Sequence, residues 1–115
     1  MSENLVVLLH EDPMITGRPV EGLRIALGLS TGISHLIIVF LGKARILLTE
    51  DALDVVDGDI LEKYIPSIQE LKIPLINPRG SSDEYLINPE FTVEESSFSK
   101  IQSHLCDAHR VLVLG

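Results

Sequence analysis

Residues 17–48, GRPVEGLRIALGLSTGISHLIIVFLGKARILL, decide how the chain is read. They show a helix pattern feeding a continuous aliphatic run, and a second aliphatic run, residues 5–9, stands just before them. Two strand-length runs separated by a helix make a βαβ unit, whose strands are parallel because a crossover of this length replaces a hairpin. Pro19 suits the first helical position, where its missing N–H would have had no partner, and Glu21 suits the first turn. Val20, Leu23, Ala26 and Leu27 recur at three- and four-residue spacing, and Gly32 followed by Ile33 reads as a glycine stop. Gly22, Ala26 and Ser30 form a small-residue line that lets the helix lie close to a sheet. Gly28, which costs about 1 kcal/mol relative to alanine in a helix, reads as a second mark of close packing.

Working outward, residues 35–42 are the clearest strand, ended by Gly42, and residues 4–9 are apolar without alternation, the pattern of a strand covered on both faces. His10-Glu11-Asp12-Pro13 opens a first loop over residues 10–17. Residues 43–49 read as a short helix or an extra strand, since Ala44, Ile46, Leu47 and Leu48 fit both periods poorly, with the short helix preferred. An acidic stretch, residues 50–59, is broken at Gly58, and a further helix starts with Asp59 as cap and Glu62 three residues on. Ile60, Leu61, Tyr64, Ile65, Ile68 and Leu71 line one face of it, and Pro66 predicts a kink or two shorter helices. Residues 73–76 read as a third strand, 77–83 as the most loop-like stretch, 84–88 as a helical turn and 91–95 as a fourth strand. Ser97 or Ser99 caps a helix running to Asp107, and residues 110–114 close the chain as a fifth strand. The fold class predicted is α/β: a three-layer α/β/α arrangement with a five-stranded, mainly parallel sheet, flavodoxin-like in type, as a single domain over residues 1–115.

Composition agrees. A chain of 115 residues fits one domain with a real core, and 45% hydrophobic content with 4% aromatics and no tryptophan means a core of Leu, Ile, Val and Ala. A net charge of −8, from 17 acidic and 9 basic residues, argues against direct nucleic-acid binding, which needs a concentrated cationic face. The longest apolar run, residues 36–41, is far short of the roughly 20 residues of a membrane helix. The opening MSEN lacks the features of a signal segment, so a cytoplasmic protein with no membrane partner is expected. The single cysteine, Cys106, rules out an internal disulfide.

No G-x-G-x-x-G or P-loop pattern occurs, so no nucleotide cofactor is expected. Arg79-Gly80-Ser81-Ser82 can form a small anion-binding nest, or simply a turn. His10 and Asp12 are the two residues of the first loop that can face one site, the histidine as base and the carboxylate as its orienter, or they can be solvated loop charges. Ligands of parallel sheets gather at the carboxyl ends of strands, so the ligand-binding set is His10, Asp12, Asn77, Arg79, Gly80 and Ser81, and the ligand is a small anion or phosphorylated molecule. Cys106 is the one soft nucleophile and has His104, Asp107 and His109 nearby. A helix end and a neighbouring carboxylate disfavour its thiolate, and a lone cysteine in an apolar helical context is commonly core filler. His104 and His109 are five apart, a poor spacing for one metal on a helix, and Asp51, Asp54, Asp57 and Asp59 lack calcium-loop spacing. No metal site and no catalytic residue is assigned, Cys106 being the weakest of bets.

Four segments carry a resemblance: Glu21-Gly22-Leu23-Arg24-Ile25-Ala26-Leu27-Gly28, Ile38-Val39-Phe40-Leu41-Gly42, Arg79-Gly80, and Leu105-Cys106-Asp107-Ala108-His109-Arg110-Val111-Leu112-Val113-Leu114. In order and spacing the chain resembles the DsrE/DsrF-like proteins, which include subunits of sulfur-relay complexes. The resemblance implies a five-stranded parallel sheet and assembly into homo-oligomers, trimers or hexamers, or into hetero-oligomers with related subunits. Sulfur-carrying members place a cysteine just after the third strand to hold a persulfide, whereas this chain reads Leu75-Ile76-Asn77-Pro78-Arg79-Gly80 there. That departure implies a non-catalytic oligomeric subunit or binding module linked to sulfur relay. The alternatives are a thiol-dependent sulfur carrier using Cys106, and a flavodoxin-like module binding an anionic ligand at the first and third βα loops.

Overall fold

A computed structural model describes residues 4–32 and 35–115, without the side chain of Leu53. The strands are β1 (Asn4–Leu9), β2 (His35–Phe40), β3 (Leu75–Pro78), β4 (Val93–Ser96) and β5 (Arg110–Val113). The helices are α1 (Arg18–Ser30), α2 (Gly58–Leu71), α3 (Ser81–Glu84) and α4 (Phe98–Asp107), with 3-10 segments at Gly42–Leu48 and Glu50–Asp54. The sheet runs β4-β3-β2-β1-β5 and every neighbouring pair is parallel.

Right-handed crossovers fix the layers. The connections from β1 to β4 all step one way, so they cover one face; α4 carries the chain back across to β5 and covers the other. The packing agrees. Leu5, Val7, Leu9, Ile38, Phe40 and Leu75 meet α1, α2 and the 3-10 segments, while Val6, Val39 and Ile76 meet Ile101 of α4. The loops after β3 and β4 therefore leave toward opposite faces, and the crevice used by open parallel sheets falls between those two strand ends.

Several local expectations change. The segment expected as a short helix after β2 is a 3-10 helix, with Gly42 at φ +54° making the exit from the strand. Asp59 does not cap α2: the cap is Asp57, in the left-handed region, and Asp59 lies in the first turn. Pro66 does not divide the helix, which runs unbroken from Gly58 to Leu71. Leu61 and Ile68 form its buried stripe, with Ile60 and Leu71 left exposed. α1 ends at Thr31 in right-handed conformation instead of on a left-handed glycine, and Ile33 of the expected stop lies outside the described residues. The helical turn expected at 84–88 falls instead at Ser81–Glu84, because Ile87 is held by an antiparallel bridge to Thr49. Gly22 fulfils its role, since an added Cβ would lie 2.7 Å from both the Leu114 carbonyl oxygen and Leu9. Gly28 does not: its helix face is open.

Candidate functional site

β3 runs two residues further than the sequence suggested, and this changes the character of the polar set. Asn77 belongs to the strand, not the loop; it is fully buried, and neither its Oδ1 nor its Nδ2 has a hydrogen-bond partner among the described residues. Beyond it, Gly80 takes φ +91°, a conformation that favours glycine, and turns the chain into α3. Ser81 is fully buried, donates its hydroxyl to the Pro78 carbonyl at 2.6 Å and accepts from Arg45 Nη1 at 3.0 Å. Such a hydroxyl is committed to a carbonyl and not to a base, which is not the geometry of an activated nucleophile.

The Arg79–Ser82 nest is occupied by the protein itself. The Arg79 N–H donates to the Ser96 carbonyl at 2.9 Å, tying β3 to the β4 exit. The Ser82 N–H and hydroxyl donate to the two carboxylate oxygens of Glu95 at 2.8 and 3.2 Å. An internal carboxylate thus holds donors that an anionic ligand would use, while the Arg79 residue is exposed.

Arg45, which sequence reasoning missed, organises this corner. Its Nε donates to the Gly42 carbonyl at 2.7 Å, its two terminal nitrogens meet the Glu84 carboxylate at 3.3 and 3.0 Å, and its guanidinium stacks 4.7 Å from the Tyr85 ring. The hydrogen bonds and charge of Arg45 hold the Glu84 carboxyl below its ordinary value. The signal was present in the sequence: one cation stands inside the run Ala44-Arg45-Ile46-Leu47-Leu48, and a cation in an apolar run needs a partner.

The first loop is separate from this corner. β2 lies between β1 and β3, so their exits are roughly 10 Å apart. His10 is exposed, and the His10 and Glu11 N–H groups both donate to the Gly115 carbonyl. Asp12 accepts from the Met14 N–H at 2.9 Å and stands 3.6 Å from Lys43 Nζ, so it shapes its own turn. The β2 exit bridges the two halves, Lys43 reaching Asp12 and Arg45 reaching Ser81.

Cys106 sits on the last turn of α4, which runs against the strand direction, and so lies at the opposite, amino rim of the sheet. It is exposed, not core filler. His109 Nδ1 accepts the Asn4 N–H at 2.9 Å. Among the described residues no three His, Cys, Asp or Glu side chains are gathered for a metal ion, and no helix is long and apolar enough to cross a membrane.

No family model matches the sequence, and no curated protein matches it. Solved structures do match in shape. The fold is similar to that in a crystal structure of the ychN protein from E. coli, with a TM-score of 0.76 over 96% of this chain and 98% of that one, at 14% sequence identity. Together with the five-stranded parallel sheet, this likeness shows a DsrE-like α/β fold.

Proposed function

We propose that this chain is a non-catalytic, self-assembling subunit that binds beside sulfur-carrying partners of the same fold. The observation that carries the reading is the incomplete cover of the α4-side face of the sheet, which leaves its β5 end exposed. Parallel sheets are stable when both faces are covered, and here one ten-residue helix covers that side. Register places Val111 beside Val6 and Val113 beside Leu8 on the α4 side, yet Val111 is 39% and Val113 57% exposed, and Phe98 at the start of α4 is 75% exposed. Apolar surface of this kind marks a protein contact, and a second copy of the chain is the occupant proposed. The β3 exit supports the absence of chemistry, since it offers buried amide and hydroxyl groups and no sulfur.

Light scattering across a concentration series tests the assembly. A mass that is a multiple of 12.7 kDa, a trimer or hexamer, is expected, with Val113→Lys shifting it toward the single chain. A wild-type chain that stays at one-chain mass at every concentration defeats the reading.

A further inference from the structure

We propose that β5 is a seam between copies: two chains lay their β5 strands antiparallel across a two-fold axis at Leu112, so that one sheet runs on into the next. The proposal rests on the self-assembly read above and names the strand through which it works. β5 is an edge of the sheet, since only β1 pairs with it. The Leu9 carbonyl of β1 accepts the Leu41 N–H on the β2 side, whereas the Leu8 carbonyl accepts the Leu114 N–H on the β5 side. Backbone groups alternate in direction along a strand, so Leu112 and Leu114 face β1 while Val111 and Val113 turn their N–H and C=O groups outward. Among the described residues no other backbone group bonds to them. An open edge of this kind is a template for pairing with another chain, and proteins guard such edges with charge or proline. The two edges of this sheet differ in that respect. β4 turns Val93 and Glu95 outward, because its Ser96 carbonyl faces β3, and Glu94 and Glu95 are exposed within it. Two copies brought together there would set like charges against each other. β5 has no proline and no acidic residue, and after Arg110 it reads Val-Leu-Val. The spacing favours a second copy over an unrelated peptide. Turning the strand over about Leu112 sets Val111 of one copy opposite Val113 of the other, and the reverse, so the outward residues exchange N–H and C=O bonds with no group left over between them. The exposed valine side chains then lie side by side on the α4 side, covering surface that each leaves open in the single chain.

A two-fold seam makes assemblies with an even number of chains, so of the sizes expected above the hexamer fits and the trimer does not. Light scattering of the full chain should give an even multiple of 12.7 kDa. Val111→Pro, which deletes an outward N–H that β1 does not use, should halve that mass, while Val111→Thr, which keeps the N–H, should leave it unchanged. Amide hydrogen exchange of the unaltered chain, read residue by residue, needs no variant to fold. The Val111 and Val113 amides should show about tenfold more protection than those of Val93 and Glu95 at the unpaired β4 edge. The proposal is overturned, with self-assembly left standing, by an odd-numbered assembly, by a folded Val111→Pro chain of unchanged mass, or by Val111 and Val113 amides no better protected than those of β4. A chain of single mass at every concentration removes both.

Discussion

Glu95 and Ser82 form a closed pair at the β3–β4 crevice, the carboxylate receiving both the N–H and the hydroxyl of one serine at 2.8 and 3.2 Å. The crevice that topology marks for a ligand is thus filled from within. Glu95→Ala should cost about 1 kcal/mol by urea denaturation, the worth of a hydrogen bond of this kind. It should also make stability respond to sulfate beyond what equal ionic strength of chloride gives. An unchanged response to sulfate means the freed donors do not form an anion site.

Arg45 stitches the exits of β2 and β3 together while its side chain stays almost wholly covered, 10% exposed against 61% for Glu84. Arg45→Ala should therefore destabilise by roughly 2–3 kcal/mol, because the buried Ser81 oxygen loses its donor and a stacked, multiply bonded cation is removed. Glu84→Gln should cost far less than Arg45→Ala, since that carboxylate is largely in water. Arg45→Lys should fail to restore stability, lacking the planar fork. Equal losses at Arg45 and Glu84 in chemical denaturation contradict this ranking.

The arginine also illustrates what could be read in advance. The order of elements, the parallel sheet and α1 followed from aliphatic runs separated by helix patterns, which are local signals. The end of β3 did not, because Asn77-Pro78 has loop chemistry and only pairing with β4 keeps it extended. The partners of Arg45 stand 36 and 39 residues away, and Glu95 is 13 residues from Ser82, so no periodicity reveals them. Cys106 was misjudged for a related reason. A ten-residue helix packed through Ile101, Leu105 and Ala108 leaves it pointing outward, and which face a short helix buries is set by the sheet beneath it.

Gly22 and Gly28 lie on one helix yet should respond oppositely to alanine. At Gly22 the new methyl meets backbone oxygen and Leu9 at 2.7 Å, and overpacking of this kind costs about 1–3 kcal/mol. At Gly28 it meets open space, and helix propensity should add about 0.5–1 kcal/mol of stability. Thermal melts of the two variants check the sign; a destabilised Gly28→Ala would mean that its open side is covered in solution.

Acid should weaken the fold through its paired surface carboxylates. Hydrogen bonds from Arg24, Arg45 and Lys100 lower the values of Glu21, Glu84 and Glu94 from the usual 4.5. A lowered folded value means stability that is present above the unfolded value and is lost as pH falls through the folded one. Urea midpoints should therefore fall as pH drops below the ordinary carboxylate value of 4.5, and less steeply when all three are glutamine. A triple variant with an undiminished slope would assign acid sensitivity to other groups.

The central claim is that this subunit binds and does not carry sulfur. Intact-mass spectrometry after incubation with a persulfide-charged sulfur donor tests it most directly, with alkylation run in parallel to show that the Cys106 thiol is reachable. The account predicts an unmodified chain whose thiol still alkylates fully. A mass gain of one sulfur atom on Cys106, discharged when an acceptor thiol is added, would contradict it.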